Sequence, residues 1–303
     1  LHDIFARNQS KRVINRYLLI SLIAIVSCQS KRTFQDIDLQ GHRGARGLWP
    51  ENTIPGFLNA IDLGVNTLEM DLAVTAEGQL VVSHEPYLSS EICLDQNGKD
   101  ILEAQQLSFN IFKMTYDQLV EYDCGSRIHP RFPDQEKMAV FKPRLVDVIN
   151  HVETYLKEKS LPTVNYNIEI KSSIASDNLY HPTPAIFSDL VYQLVNLKLD
   201  WSRVTIQSFD FRVLQYFHTT YPDVTLALLI ESELPWKANI DSLGFTPQIY
   251  SCDYNLLTKE TVSELQTANM KVIPWTVNER ADMDRLLEWG VDGIITDYPD
   301  RTK

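Results

Sequence analysis

The 303-residue sequence predicts a (β/α)8 TIM-type barrel carrying one long insertion. Three observations lead there. Short apolar runs alternate with longer amphipathic stretches, the pattern of βαβ units around a parallel sheet. About eight such units fit between residue 38 and the C-terminus, the usual size of a barrel of this kind. No G-x-G-x-x-G follows the first apolar run, which sets aside the runner-up, a doubly wound dinucleotide-binding sheet.

The elements follow in order. Residues 38–42 form the first strand and run straight into His42-Arg43-Gly44. Residues 53–63 have helical apolar spacing, with Asn52 as the expected N-cap and Gly64 as the stop. Strands are expected at 67–75 and 79–85. The rhythm then breaks at 86–143, a long, polar, irregular stretch with Asn97-Gly98 and His129-Pro130-Arg131-Phe132-Pro133. It reads as an insertion after the strand ending at His84, and insertions there overlie the active-site face of a barrel. Beyond it the alternation resumes: helices at 144–157, 184–197, 211–219, 258–268 and 279–289, and strands at 164–171, 204–209, 225–231, 249–253, 271–277 and 293–296.

Residues 1–27 stand apart. Arg7, Lys11, Arg12 and Arg16 precede an apolar run from Tyr17 to Val26, a secretory signal pattern too short to span a bilayer. Ile25-Val26-Ser27-Cys28 resembles a bacterial lipobox, which implies cleavage before Cys28 and acylation of Cys28; a plain signal peptide or a short anchor helix is the alternative. The expected organisation is therefore a signal at 1–27, a linker at 28–37 and a barrel at 38–303. The expected location is exported, facing the periplasm or on the outer membrane of a bacterium, with a lipid anchor at Cys28 as the membrane contact. Cys93, Cys124 and Cys252 remain. None lies in a C-x-x-C, so structural zinc is not expected. Cys93 and Cys124 could pair, or stay as separate buried thiols.

Forty Asp+Glu against 28 Lys+Arg give a net charge of −12, which argues against a nucleic-acid partner. That charge suits a protein that attracts divalent cations, and equally one that is merely soluble.

The chemistry gathers at strand ends. His42 can move a proton near neutral pH, and Arg43 offers a planar fork for phosphate oxygens. Glu69 and Asp71, two apart, share one strand face while Leu68, Met70 and Leu72 take the other. Two acids facing a barrel interior call for a neutralising partner, and hard oxygen ligands favour Mg2+, Ca2+ or Mn2+. A solvated edge strand is the plainer alternative. Glu169 and Lys171 repeat the device: Glu169 could complete a three-carboxylate cation site and Lys171 could hold phosphate, or the two could form an ordinary salt bridge. His84 ends another strand, so His42 and His84 could serve as an acid–base pair. His129, His151, His181 and His218 read as loop or helix-surface residues.

Taken together, His42-Arg43-Gly44-Ala45-Arg46-Gly47, Pro50-Glu51-Asn52-Thr53, Glu69-x-Asp71, Val81-Val82-x-His84, Glu169-x-Lys171, Gln207-Ser208-Phe209, Pro274-Trp275-Thr276-Val277-Asn278 and Gly293 to Pro299 closely resemble the glycerophosphodiester phosphodiesterase family. The resemblance runs from about Gln40 to Pro299. It implies metal ligands at Glu69, Asp71 and Glu169, catalytic histidines at His42 and His84, and phosphate contacts from Arg43 and Lys171. It also implies a glycerol pocket lined by Phe209 and Trp275, and a Glu51 that orients Arg43 or approaches the metal. The implied substrate is a small glycerophosphodiester, hydrolysed to glycerol 3-phosphate and an alcohol. Glu77 before Gly78 and Glu85 after His84 depart from the family's aspartates, which blurs any supporting role for Glu85. Two other classes compete: a phospholipase-type enzyme on the same barrel, which an apolar rim on residues 86–143 would favour although that stretch reads as too polar, and a non-catalytic binding protein, against which the complete set of polar residues speaks.

Overall fold

The computed structural model describes residues 32–303. The expected signal segment, the Cys28 acylation site and residues 28–31 of the expected linker lie outside the described residues. Arg32 donates from Nη1 to the carbonyls of Gly290 and Val291, at 2.6 and 2.9 Å, and so ties residues 32–37 to the last strand–helix connection.

The barrel is built on β1 (Asp38–Gly41), β2 (Thr67–Val74), β4 (Asn165–Ile170), β5 (Val204–Ser208), β6 (Thr225–Ile230), β7 (Ile249–Cys252), β8 (Lys271–Val272) and β9 (Gly293–Thr296). They pair in parallel in the order β8-β7-β6-β5-β4-β2-β1-β9. β8 is far shorter than the seven residues expected, because Pro274 has no N–H to give the ladder. The ring is nonetheless drawn together there: Ile295 donates its N–H to the Pro274 carbonyl and Val277 donates to the Ile295 carbonyl, each at 2.9 Å.

One expected strand is not a barrel stave. β3 (Leu80–Val82) pairs antiparallel with β2, Leu72 opposite Val82. The connection through Thr75–Gly78 explains it. A parallel return needs a crossover of about a dozen residues, whereas a tight turn can only reverse the chain. The insertion therefore grows from a hairpin hung on β2. It is also less polar than it reads. Leu88, Ile92, Ile101, Ile111 and Leu119 pack with Ala73 and Val81 around the Cys93–Cys124 disulfide, a second small core. Cys252 is a free, buried thiol.

Helices α1 (Ile54–Asp62), α2 (Tyr116–Leu119), α3 (Leu145–Lys159), α4 (Pro184–Lys198), α5 (Phe211–Thr220), α6 (Trp236–Leu243), α7 (Lys259–Thr267) and α8 (Arg280–Trp289) complete the architecture. α2 belongs to the insertion and the rest sheathe the barrel. α3 is representative: Leu145, Val148, Ile149, Val152 and Leu156 form one buried stripe at helical spacing. α6 has no counterpart among the expected helices; it is the shortest helix of the barrel, and Pro235 stands at its N-cap. The N-cap of α1 is Thr53, whose hydroxyl accepts from the Gly56 N–H, and not Asn52. Asn52 instead adopts φ 56° and turns its amide inward.

The turn after β1 fixes the site. Arg43 has φ 50° and Gly44 φ 91°, and a Cβ on Gly44 would come within 2.9 Å of the Gly56 carbonyl carbon. Gly44→Ala should therefore cost about 2 kcal/mol or more, from left-handed strain plus the collision with α1. Urea unfolding measures it; a variant as stable as the parent would show that the turn tolerates a side chain.

Candidate active site

Barrel register explains why three acids meet. Asp71 and Glu169 are direct partners across β2 and β4, and Glu69 lies on the same face two residues earlier. One oxygen from each comes within 4.8 Å of the other two, and all three residues are buried. Burial, then Asp71 and Glu169, pushes the Glu69 carboxyl well above the usual range. Burial raises Glu169 as well, beyond what Lys171 offsets. Burial works the same way on Asp71, but Arg43, His84 and Lys171 hold it well below its ordinary value. This is like-charge crowding in a desolvated setting, and it favours a cation.

The remaining partners test that fit. Glu69 accepts from the Arg43 backbone N–H at 2.9 Å and from Gln207 Nε2 at 2.7 Å. Asp71 Oδ2 accepts from Asn52 Nδ2 at 2.8 Å, and Arg43 Nε stands 3.2 Å away in an ion pair without hydrogen-bond alignment. Asp71 Oδ1 is buried with no hydrogen-bond partner among the described residues. A buried, orphaned carboxylate oxygen facing two more carboxylates is what a hard divalent cation would satisfy. Glu69, Asp71 and Glu169 fit such an ion.

The two strand-end histidines each lean on a carboxylate. His42 Nδ1 lies 2.7 Å from Asp297 Oδ1, and His42 Nε2 lies 4.0 Å from Glu69. Burial and then Arg46 push His42 down to about 4, against the pull of Asp297, so its ring is neutral at physiological pH. With Nδ1–H given to Asp297, Nε2 keeps its lone pair. His84 Nδ1 lies 2.7 Å from Glu85 Oε1, and its Nε2 is 3.0 Å from Lys171 Nζ. Glu85, whose role the sequence left blurred, thus orients His84, and Glu77 accepts from the Tyr116 N–H at 3.1 Å. Lys171 also pairs with Glu169 at 3.0 Å, so the salt-bridge alternative holds while its ammonium still borders the cavity.

Arg43 donates from Nη1 to both oxygens of Glu51, at 3.1 and 3.2 Å. Arg43 Nη2 makes no hydrogen bond among the described residues and remains available to an oxyanion. Arg43 and Arg46 overcome the effect of burial and hold Glu51 at about 2. Phe209 and Trp275 meet edge to face at 5.5 Å on one wall of the cavity, whose volume is about 580 Å3. The structure thus brings His42, His84, Glu69, Glu169, Arg43, Glu51, Lys171, Phe209 and Trp275 around one opening at the C-terminal ends of the strands, and Asp71 joins Glu69 and Glu169 in the acid cluster. Cys28 is outside the described residues.

Sequence reading missed several members. Asp297, next after β9, takes His42 on one side and Arg46 on the other, with Arg46 Nε at 2.9 Å and Nη2 at 3.1 Å. It sits within the Gly293–Pro299 run, which was the available signal. Asn52 and Gln207 support the acids from positions whose short motifs carried no role. His129 and His181 are buried, not on the surface. His181 is structural, accepting from the Ser173 N–H at 3.0 Å and facing the Pro182 carbonyl.

Against burial, His42 and Arg46 hold the Asp297 carboxyl far below its ordinary value. A depressed acid contributes stability above its unfolded pKa, about 3.9, and loses it as pH falls. Asp297→Asn should therefore cost about 3 kcal/mol near pH 7, because it leaves Arg46 buried with only the more distant Glu51. The gap to the parent should narrow between pH 4 and 2 by up to about 1.4 kcal/mol per pH unit. Denaturant melts across that range check it, and a constant gap would exclude a charged Asp297.

Comparison with known proteins places this geometry. The sequence profile of the glycerophosphoryl diester phosphodiesterase family matches residues 42–301. A glycerophosphodiester phosphodiesterase of Bacillus altitudinis is 30% identical over 264 residues, covering 86% of this chain and 94% of its own. The crystal structure of a candidate glycerophosphoryl diester phosphodiesterase from Silicibacter pomeroyi aligns with a TM-score of 0.78 at 30% identity, over 89% of this chain and 93% of that one. An Oleispira antarctica phosphodiesterase, solved with the product sn-glycerol-3-phosphate, shares the fold at a TM-score of 0.68 and 19% identity, over 88% of this chain and 94% of that one.

Proposed function

We propose, from the premise that this chain belongs to the glycerophosphoryl diester phosphodiesterase family and is an enzyme of that class, that it hydrolyses glycerophosphodiesters with His42 as base, His84 as acid and a divalent cation at Glu69, Asp71 and Glu169. The observation that carries the reading is the three-carboxylate cluster with a carboxylate-held histidine, His42 or His84, lining the same cavity. A cation there would neutralise charge on the phosphoryl oxygens.

The side chains divide the remaining work. Arg43, held by Glu51 on one arm, offers Nη2 to a phosphoryl oxygen, and Lys171 adds a second positive charge. His42 Nε2 takes the proton of the substrate's own glycerol hydroxyl, and that oxygen attacks phosphorus. The bond from phosphorus to the alcohol breaks, and His84, protonated at Nε2 once Lys171 Nζ has turned from it to a phosphoryl oxygen, gives the departing oxygen its proton. Water then opens the cyclic phosphate, with the two histidines in reversed roles. Asp297 and Glu85 steady the rings and stabilise each imidazolium as it forms.

Removing the cation tests the first half. EDTA should abolish release of glycerol 3-phosphate, and Mg2+, Ca2+ or Mn2+ should restore both turnover and melting temperature. Asp71→Asn should blunt that thermal shift. Full activity after metal stripping would sink the cation role.

The second half turns on the neighbouring hydroxyl. Attack within one molecule gains an effective concentration of up to about 10⁵–10⁸ M. Diesters lacking the hydroxyl, such as bis(p-nitrophenyl) phosphate, should therefore react far more slowly than glycerophosphodiesters with matched leaving groups. His42→Ala and His84→Ala should each cost about 10²–10⁴-fold in turnover. Equal rates with and without the hydroxyl would overturn the internal nucleophile.

One observation favours a lipid substrate as a second reading. Leu102, Leu107, Ile128 and Phe141 on the insertion are exposed, so that segment shows more apolar surface than the sequence suggested. A lysophospholipid carries the same phosphodiester and would present its chain to such a surface.

A further inference from the structure

The insertion brings one unassigned polar group to the cavity. His129 borders the opening yet is only 2% exposed. Its Nδ1 accepts the Arg131 backbone N–H at 3.1 Å, so that nitrogen carries no proton and Nε2–H is the donor of the neutral ring. Among the described residues no acceptor meets Nε2. The ring is held in place: its edge meets Phe132 at 4.8 Å, and Phe132 lies under the Arg46 guanidinium at 5.0 Å. Gln135 Nε2 then anchors the segment to the Arg46 and Trp49 carbonyls at 2.6 and 2.9 Å. A buried imidazole locked by packing, with a free donor beside a polar cavity, has the properties of a recognition group. Burial, foremost, lowers the ring's pKa and so favours the neutral form, which recognises by hydrogen bonding.

The walls of the cavity differ. Phe209 and Trp275 rise from the ends of β5 and just past β8 and give one side an apolar, aromatic corner. The insertion, which starts directly after His84, gives the other side Ser89, Glu91, His129 and Arg131. A phosphodiester held at the acids has two halves; with its glycerol half against Phe209 and Trp275, the departing alcohol faces the residues the insertion supplies. We propose that His129, through Nε2–H, is a specificity-determining residue that favours departing alcohols bearing a hydroxyl or carboxylate acceptor over those ending in a quaternary ammonium group. This rests on the diesterase reading above.

The test compares kcat/KM for glycerophosphoglycerol and glycerophosphocholine in the metal-supplemented enzyme. His129→Phe keeps a ring against Phe132 but removes the donor, and His129→Gln places an amide donor near the same position. Thermal melts confirm that each variant holds its fold. His129→Phe should lower the glycerol-to-choline ratio about fivefold or more, mostly through KM, the scale of one neutral hydrogen bond. His129→Gln should recover much of it, which a purely structural role would not produce. Equal losses on both substrates, or none, would overturn the proposal. A parent enzyme that cleaves neither diester would overturn the diesterase reading, and this inference with it.

Discussion

Glu69, Asp71 and Glu169 meet on the inner face of adjoining barrel strands, and neighbouring groups answer the repulsion this creates. Two like charges about 5 Å apart at an effective dielectric of about 20 repel by on the order of 3 kcal/mol, before any cost of burial. The chain of compensation can be followed outward. Asp71 faces Arg43, Arg43 is gripped by Glu51, Glu51 lies 3.7 Å from Arg46, Arg46 is forked onto Asp297, and Asp297 holds His42. Signs alternate from Asp71 to Asp297, and the neutral His42 ends the path through a hydrogen bond, so the site behaves as one network in which removing a member exposes its neighbours. The left-handed turn at Arg43 and Gly44 belongs to the same network, because it aims the Arg43 N–H at Glu69 and its guanidinium at Asp71 and Glu51.

The insertion serves the site from the other side. It hangs on β2 through the β3 hairpin, packs its own small core around Cys93–Cys124 and returns across the turn that follows β1. Its polar residues therefore reach the cavity from a braced support. The strand ends supply the acids, the histidines and the aromatic face, while the insertion supplies a separate polar wall. That division lets the reacting groups stay fixed on rigid strands while the wall facing the departing alcohol varies with the loop.

Much of this was legible in the residues. Alternating apolar runs predicted the parallel barrel, because a strand buried on both faces and a helix buried on one leave different periodicities. Glu69-x-Asp71 and Glu169-x-Lys171 announced inward-facing charge, because a strand's side chains alternate. Register was not legible: that Asp71 sits beside Glu169, across 98 residues of chain, depends on how β2 and β4 slide against each other, and no local pattern records it. Asn52 is the sharpest case. Its position before a helix reads as a cap, yet Thr53 takes that role and Asn52 serves Asp71, a partner visible only once the turn is folded. His129 likewise sits in a Pro-flanked loop that reads as surface, and only the packing of Phe132 beneath Arg46 buries it at the cavity. The sequence by itself determined which groups would be present at strand ends, since that follows from period and chemistry. Tertiary structure decided which of them touch, since contact between distant segments depends on register and packing.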